Sequence, residues 1–258
     1  MKILITGYKG FIGQNMVKAL RDDHQLTYYE WGDAIPEFEG LDWVIHLGAI
    51  SSTTETDVEK VMRQNHDFSC ILLVACQTNN VNLQYASSAS VYGLGKNFSE
   101  QAPHSPQSPY AWSKYLFDRH VLSNKFNGIR VQGFRYFNVH GPHEEHKGDQ
   151  ASPYYKFEKQ ARETGVIKLF ENSDQYLRDF VHVDDVIDVH KKFFDIKESG
   201  IWNVGTGKPR SFEAVARSIA VHYGAKIEYI PMPDNIKKQY QQYTCADLTK
   251  LTQTLNGH

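Results

Sequence analysis

The feature that most limits what this chain can fold into lies in its first residues, Lys2-Ile3-Leu4-Ile5-Thr6-Gly7-Tyr8-Lys9-Gly10-Phe11-Ile12-Gly13. The apolar run from Ile3 to Ile5 reads as a buried strand. Ile12, Met16, Ala19 and Leu20 then recur at helical spacing, so a helix opens inside the glycine segment. A strand, a glycine turn and a helix in that order make an anion site. Gly7 permits the tight turn, Gly10 brings bare backbone up to a phosphate, and Gly13 lets the helix pack close to the strand. The helix N-terminus adds free N–H groups and a partial positive charge suited to a pyrophosphate. The spacing is G-x-x-G-x-x-G rather than G-x-G-x-x-G. On the glycines alone, a tight βα turn without any ligand is the alternative.

A chain of 258 residues can form one large α/β domain or one domain with a small lobe. Its formal net charge is −2 with no block of like charge, so nucleic acid or an anionic membrane has no electrostatic support as a partner. Cys70, Cys76 and Cys245 are odd in number and form no C-x-x-C. They read as buried thiols in a reducing compartment rather than as a disulfide or metal set, and no metal is expected. The N-terminal apolar run is too short for a signal peptide and nothing approaches membrane-spanning length, so the expected location is the cytoplasm.

After the first helix, His24 to Trp31 reads as a second strand ending near Glu30. An acid at this strand end, about 20 residues beyond the glycines, bonds the adenosine ribose in a dinucleotide fold. Glu30 fits that position and favours NAD by repelling a 2′-phosphate; a solvated strand-end glutamate is the alternative. Gly32 to Gly40 is short and polar, so the adenine side is abbreviated. Leu41 to Ala49 forms the next buried strand, whose small end at Leu47, Gly48 and Ala49 lets a cofactor lie across it. The polar loop Ser51-Ser52-Thr53-Thr54-Glu55 follows. Val58 to Thr78 reads as a long helix carrying Asn65, whose plain reading is a solvated helix position. The strand Leu83 to Ala86 ends in Ser87-Ser88-Ala89-Ser90-Val91-Tyr92-Gly93, and ligands of open α/β sheets bind outside such strand ends.

Ser108-Pro109-Tyr110-Ala111-Trp112-Ser113-Lys114 opens another helix, with Ser108 as N-cap and Pro109 at its first position. Tyr110 and Lys114, one turn apart, share a face. A phenol with a pKa near ~10 is a poor base at neutral pH. A nearby ammonium and an oxidised nicotinamide ring favour its phenolate. Y-x-x-x-K is common on helix surfaces; the serine cluster and the glycine opening before it set this copy apart.

With these motifs on the page, the chain resembles the extended short-chain dehydrogenase/reductase family of nucleotide-sugar epimerases and dehydratases. Gly133-Phe134-Arg135-Tyr136-Phe137-Asn138-Val139-His140-Gly141-Pro142, Arg178-Asp179-Phe180-Val181-His182-Val183-Asp184-Asp185 and Asn203-Val204-Gly205-Thr206-Gly207 extend the likeness over most of the chain, in family order. The resemblance implies a Rossmann-type doubly wound parallel sheet with a smaller C-terminal substrate-binding lobe. Residues 1–140 would bind the cofactor, joined by segments around 178–207, and 141–258 would form mainly the lobe. The cofactor would be NAD or NADP, tightly bound and recycled, held by Gly7, Gly10, Phe11, Ile12, Gly13, Glu30, Leu47, Gly48, Ala49, Ser51, Asn65, Tyr110, Lys114 and Val139. Ser88 would bond the reacting oxygen, Tyr110 would be the acid/base, and Lys114 would hold the nicotinamide ribose and tune Tyr110.

A narrower resemblance, to the branch that epimerises ADP-activated heptoses, rests on Ser51 to Glu55, Glu145-His146-Lys147-Gly148, Lys168-Leu169-Phe170-Glu171, and Tyr229 to Asp234 running into Tyr240 to Leu248. It implies inversion of C6″ of ADP-glycero-manno-heptose with no net redox change. A ketone that turns over needs a second proton donor, and Lys147 is the implied one. Ser52, Ser88, Asn138, Lys147, Lys156, Phe170, Glu171, Ser173, Arg178 and Tyr240 would contact the nucleotide sugar. Arg178 suits a diphosphate because its fork pairs bidentately with phosphate oxygens; an ion pair with Asp179 or Asp184 is the alternative. A homo-oligomer is also implied. The chain departs from the pattern at Tyr8-Lys9, where relatives carry small residues. It departs again at Asp149, where they carry serine, and at Lys156, where they carry histidine. The residues after Leu248 are expected to lack the final helix such enzymes have.

Two other readings compete. Another nucleotide-sugar epimerase, dehydratase or reductase would use the same Ser88, Tyr110 and Lys114. A dehydratase would carry acids just after the catalytic serine, and Ala89-Ser90-Val91 has none. A non-catalytic NAD(P)-sensing protein would keep the fold but lose the tyrosine or the lysine, and both are present.

Overall fold

The computed structural model describes residues 1–233 and 241–257. The opening apolar run is β1 (Lys2–Thr6), and the glycine turn leads into α1 (Phe11–Leu20). β1 is the pivot of a six-stranded, all-parallel sheet. On one side it pairs with β2 (Gln25–Tyr29). On the other it pairs with β3 (Trp43–His46), followed outward by β4 (Asn82–Ser88), β5 (Val131–Tyr136) and β10 (Gly200–Val204). Strand order reverses between β1 and β3, and open parallel sheets hold their ligands at the carboxyl ends beside such a reversal.

Alternation along the strands sends side chains to two apolar layers. Leu4, Val44, Leu83, Tyr85 and Val131 face the layer that holds Phe68 and Leu72 of α3 (Phe68–Asn79) and Phe117 and Val121 of α4 (Pro109–Leu122). Ile3, Ile5, Trp43 and Ile45 face Phe11, Met16 and Leu20 of α1 and Val183 and Ile187 of α6 (Val183–Phe193). α4 begins as its sequence dictates: the Ser108 hydroxyl accepts from the Ala111 amide at 3.2 Å, and Pro109 takes the first helical position.

Between Glu30 and Asp42 the chain forms neither strand nor helix, and β2 is the edge of the sheet. Phe38 turns inward from that passage and joins the α3 layer. The long helix after it is not regular. α2 (Val58–Val61) runs through a π-helical turn (Met62–Asp67) into α3. The extra residue of a π turn rotates side chains out of the α-helical register, and such turns recur at functional sites. Here it carries Asn65 inward to near-complete burial, so the solvated position considered for it is not the one observed.

Beyond β5, β6 (Asn138–His140) pairs with β9 (Phe180–His182), and β8 (Leu177–Arg178) with β11 (Arg210–Ser211). β7 (Val166–Phe170) and β12 (Lys226–Ile230) form a parallel pair. α5 (Pro153–Thr164) and α7 (Phe212–Tyr223) close on it around Phe157, Ile167, Leu169, Val215 and Ile219. The end of the chain corrects one expectation: a final helix, α8 (Thr249–Asn256), is present. It buries Leu251 in the layer of Phe134 and Trp202, and Trp202 Nε1 donates to Thr254 Oγ1 at 3.0 Å. Too short to stand out by periodicity, it is held by this packing on β10. No helix among the described residues is long and apolar enough to cross a membrane.

Two glycines of the opening turn are required by contact. Gly7 has φ +71°, and a Cβ there would lie 2.5 Å from Gly48 Cα. A Cβ at Gly13 would lie 2.1 Å from the Gly7 carbonyl oxygen, so α1 reaches β1 only because Gly13 has no side chain. Gly13→Ala is therefore expected to destabilise the protein by about 1–3 kcal/mol through overpacking. In a thermal melt this lowers Tm by about 3–10 °C. Gly95→Ala meets only ordinary contact, with Tyr92 O at 3.5 Å, and serves as the control that leaves Tm unchanged.

Candidate active site

At the switch point the glycine turn forms an open anion cradle. Gly10 is the N-cap of α1 and supplies no side-chain cap, and the first turn carries no acid. The leading N–H groups of Phe11 and Ile12 are thus left for an anion, the arrangement a pyrophosphate uses. Glu30, just past β2, accepts the Lys9 amide at 2.7 Å and so braces the turn as well as facing the crevice. Gly7, Glu30, Gly48 and Ala49 come together around a cavity of about 120 Å³. Thr6, Trp31, Ile50, Gln64 and Phe68 also line it. The sequence reading did not anticipate Trp31 or Phe68; the aromatic run Tyr28-Tyr29-Glu30-Trp31 at the end of β2 is the signal that could have found Trp31, whereas Phe68 reads only as one more apolar helix position. These residues fit a dinucleotide: bare backbone for the pyrophosphate, an acid for the ribose and apolar walls for a base. Of the other residues expected there, Leu47 and Val139 pack into the apolar layer around α1, and Ser51 is exposed.

A chain of buried hydrogen bonds stiffens the floor of this crevice. The Gly48 amide donates to Thr6 Oγ1 at 3.3 Å, and Thr6 Oγ1 meets His46 Nδ1 at 2.6 Å. His46 Nε2 lies 2.9 Å from Ser69 Oγ, which donates to the Asn65 carbonyl. Because Ser69 spends its proton on that carbonyl, His46 carries its own on Nε2 and accepts from Thr6 on Nδ1. Burial, assisted by the nearby Lys114 ammonium, pushes the His46 pKa down to about 3, so the ring is neutral. The Asn65 side chain spans Ile50, whose amide donates to it at 2.8 Å and whose carbonyl accepts at 3.0 Å. Its amide also donates to Ser113 Oγ at 3.0 Å, and Ser113 donates on to the Tyr110 carbonyl at 2.7 Å. Asn65 therefore ties the loop after β3 to the first turn of α4.

Ser88, Tyr110 and Lys114 come together. Ser88 ends β4 and caps the short 3₁₀ turn Ala89–Tyr92, its oxygen accepting the Ser90 amide at 3.1 Å. That leaves the Ser88 proton to be donated elsewhere. Burial raises the Tyr110 pKa, interaction with the Ser88 hydroxyl pulls it back, and Asp118 raises it further. Lys114 is 6% exposed with its Nζ 6.0 Å from the centre of the Tyr110 ring. Burial pushes its pKa down to about 8, against the pull of Asp118.

Asp118, one turn beyond Lys114 and missed by the sequence reading, is fully buried. It accepts from Tyr85 Oη at 3.0 Å, Ser87 Oγ at 2.9 Å and Arg135 Nε at 2.8 Å. Tyr136, opposite Ser88 in the β4–β5 register, places its hydroxyl 2.6 Å from His190 Nε2. Burial, and then Tyr110, raises the Tyr136 pKa.

Lys147 lies in a 3₁₀ segment (Glu145–Gln150). Its Nζ sits 4.8 Å over the ring of Phe11, the first residue of α1, and 3.4 Å from the buried carboxylate of Glu144. It thus adjoins the anion cradle.

Lys156, Phe170 and Ser173 line a second cavity, of about 370 Å³, with Phe157, Tyr176 and Phe212. Ser173 is 2% exposed, and its Oγ has no hydrogen-bond partner among the described residues. An orphaned buried hydroxyl beside a cavity is what a ligand's polar edge would satisfy. Lys156 Nζ reaches the Asp149 carbonyl at 2.6 Å. Glu171 is exposed and Asn138 is exposed on β6. Ser52 bonds Thr54 at 3.0 Å. Arg178 donates to the Leu177 carbonyl at 2.9 Å and to the Gln241 carbonyl, and lies 5.4 Å over the Phe212 ring. Asp179 accepts from the backbone of Thr206, Gly207 and Ala246, and Asp184 pairs with His182. Tyr240 falls outside the described residues.

An ADP-L-glycero-D-manno-heptose-6-epimerase of Brachyspira hyodysenteriae is 40% identical over 96% of this chain and 90% of its own length. The enzyme of the same name from Alkalilimnicola ehrlichii is 39% identical over the same shares. The crystal structure of the Helicobacter pylori enzyme of that name superposes with a TM-score of 0.88 at 29% identity, covering 99% of this chain and 90% of that one. A Thermus thermophilus UDP-glucose 4-epimerase in complex with NAD shares the fold, with a TM-score of 0.81 over 98% of this chain and 92% of that one, at 24% identity. The sequence profile of the NAD dependent epimerase/dehydratase family matches residues 3–205, and with the glycine cradle and the Ser88–Tyr110–Lys114 cluster this shows that the chain belongs to that family.

Proposed function

We propose that this enzyme inverts C6″ of ADP-glycero-manno-heptose by transient oxidation to a ketone and re-reduction on the opposite face. The observation that carries the reading is the meeting of Ser88, Tyr110 and buried Lys114 at the carboxyl end of β4, in a chain so close in sequence to heptose epimerases. Bound in the cradle, a nicotinamide dinucleotide supplies the hydride acceptor and donor. The protein's own part is proton transfer and orientation. Ser88 donates its free proton to the reacting oxygen and holds it toward Tyr110. Tyr110 takes the hydroxyl proton as the C6″–H bond breaks. Lys114, as the cation, stabilises the Tyr110 phenolate that takes this proton and becomes a phenol. Once the ketone has turned, Tyr110 faces the wrong side of the carbon. Lys147, reaching from a different stretch of chain, gives the second proton to the oxygen, and no net redox change remains.

Further assignments rest on the same reading. Glu30 favours NAD, because a carboxylate beside the ribose repels a 2′-phosphate. Residues 1–140, with those around 178–207, form the cofactor-binding domain and the rest of 141–258 mainly the substrate lobe; Phe170 and Ser173 face the nucleoside of the nucleotide sugar, Arg178 its diphosphate, and Asn138 contacts it from the cofactor-binding side. The enzyme works in the cytoplasm as a homo-oligomer.

Incubated with ADP-D-glycero-D-manno-heptose and no external NAD(P)H, the purified protein should yield the L-glycero epimer, followed by proton NMR of the sugar. Tyr110→Phe should lower turnover by about 10²–10⁴-fold. Stoichiometric consumption of NAD(P)H with sugar would instead identify a reductase. Mass spectrometry of the cofactor retained after gentle purification should return NAD, and Glu30→Ala should raise NADP affinity relative to NAD; co-purified NADP would refute the role given to Glu30.

The Lys114 pKa also has a stability signature. Its folded value of about 8 lies below the ordinary 10.5, so within that window the unfolded chain binds more protons. Stability from this group therefore rises with pH between the two values, as the buried ammonium discharges. In melts from pH 7.5 to 10.5, wild-type Tm should climb relative to Lys114→Met. A difference that stays flat would show that Lys114 keeps its ordinary pKa.

A further inference from the structure

The loop that carries Lys147 is built around a side chain to which the proposed reaction assigns nothing. Glu144 is 0% exposed. Its Oε1 accepts the Gly141 amide at 3.2 Å and the Ser152 hydroxyl at 2.7 Å. Its Oε2 accepts the Ser152 amide at 2.6 Å and lies 3.4 Å from Lys147 Nζ. The backbone repeats the link, since the Lys147 amide donates to the Glu144 carbonyl at 3.0 Å.

The three loop donors are shared between both carboxylate oxygens, and burying that carboxylate costs several kcal/mol unless a cation compensates it. Lys147 is the cation paired with Glu144 among the described residues. Their separation of 3.4 Å exceeds the ~2.7–2.9 Å of a tight charge-assisted bond, so the ammonium is held in place yet free to turn toward a substrate oxygen. The surrounding backbone is unusual on both sides: Gly141 has φ +151°, His143 +72° and Gly148 +51°. A Cβ at Gly141 would lie 2.6 Å from Val183 Cγ1, which presses the loop against the start of α6. From that anchor Lys147 reaches Phe11 at the mouth of the anion cradle.

We propose that Glu144 is a positioning residue for Lys147: its buried carboxylate holds the ammonium over the opening turn of α1, and so governs proton transfer on one face of the sugar carbon. This rests on the epimerase reading above. A mechanism with one proton-transfer group per face makes the two epimers unequal probes. Oxidation of one takes its proton through Tyr110, and oxidation of the other through Lys147. Damage to Glu144 should therefore be one-sided, whereas a merely loosened fold would slow both.

The test is single-turnover stopped flow at 340 nm on the protein with its cofactor bound, mixed with each epimer separately. Lys147→Ala identifies the epimer that depends on Lys147. Glu144→Gln is expected to slow oxidation of that epimer by about 10-fold or more, leaving the other within about twofold. Ser152→Ala removes a loop contact of Glu144 without touching Lys147; it should lower Tm and show no such one-sidedness. If Glu144→Gln does not fold, Glu144→Asp keeps the charge on a shorter arm and should give the same asymmetry in smaller measure. Equal slowing of both epimers, or no slowing of either, overturns the proposal. Wild-type protein that interconverts no heptose overturns the epimerase reading itself, so the two failures are distinguishable.

Discussion

A carboxylate with no exposed surface sits where α4 meets the sheet, and the geometry of the active site depends on how it is satisfied. Asp118 takes hydrogen bonds from Tyr85 and Ser87 of β4 and an ion pair from Arg135 of β5. Removing one partner of such a pair leaves an uncompensated buried charge, at a cost of about 3–5 kcal/mol, so the arrangement tolerates little rotation or sliding of the helix. Lys114 and Tyr110 lie on the same stripe at successive turns toward the N-terminus. A helix fixed in register at Asp118 therefore fixes the phenol opposite Ser88. Arg135 carries the constraint further. It donates to Tyr92 Oη at 3.0 Å, and Tyr92 donates to Asn203 Oδ1 at 2.7 Å. The short turn that begins at Ser88 is thereby tied to the end of β10.

The same carboxylate sets the electrical balance. Burial alone would strip Lys114 of its proton and keep Tyr110 neutral. Asp118 opposes the first tendency and adds to the second. The protein's own groups thus hold a lysine whose pKa is pushed down to about 8 beside a phenol that resists ionising. In the proposed mechanism three influences favour the phenolate: the Ser88 hydroxyl, the Lys114 ammonium and the charge of an oxidised nicotinamide. The last comes only with the cofactor, so the proposed base would be drawn out when a hydride acceptor is bound.

Motifs were legible in the sequence where local chemistry leaves a local mark. The glycine turn, the Ser108–Pro109 helix start and the serine-rich end of β4 all depend on residues near one another in the chain. Residues that act across the fold were not. Asp118 follows Lys114 on a helix whose neighbours include Arg119 and His120, and nothing nearby distinguishes a buried carboxylate from a solvated one. Asn65 was considered for the cofactor, yet what brings it inside is a π turn, which the apolar spacing of its helix does not reveal. Trp31 gains meaning only because β2 is the sheet edge and the chain beyond it adds no strand. α8 was missed because its stability comes from Trp202 and Leu251 rather than from its own length.

The proposed chemistry explains why this fold needs two separately anchored proton carriers. Tyr110 rides on a regular helix locked to the large sheet, which suits a group that must meet one fixed oxygen position. Inversion demands a second group on the far side of a carbon that has turned, and no residue on α4 can serve both sides. Lys147 comes from an irregular stretch between β6 and α5, held by Glu144 through a long ion pair and backed by the ring of Phe11. An aromatic face attracts an ammonium without fixing its direction. A looser tether at this end and a rigid one at the other match what the two steps ask: the first proton leaves a bound alcohol in a set pose, whereas the second must find a ketone that has moved.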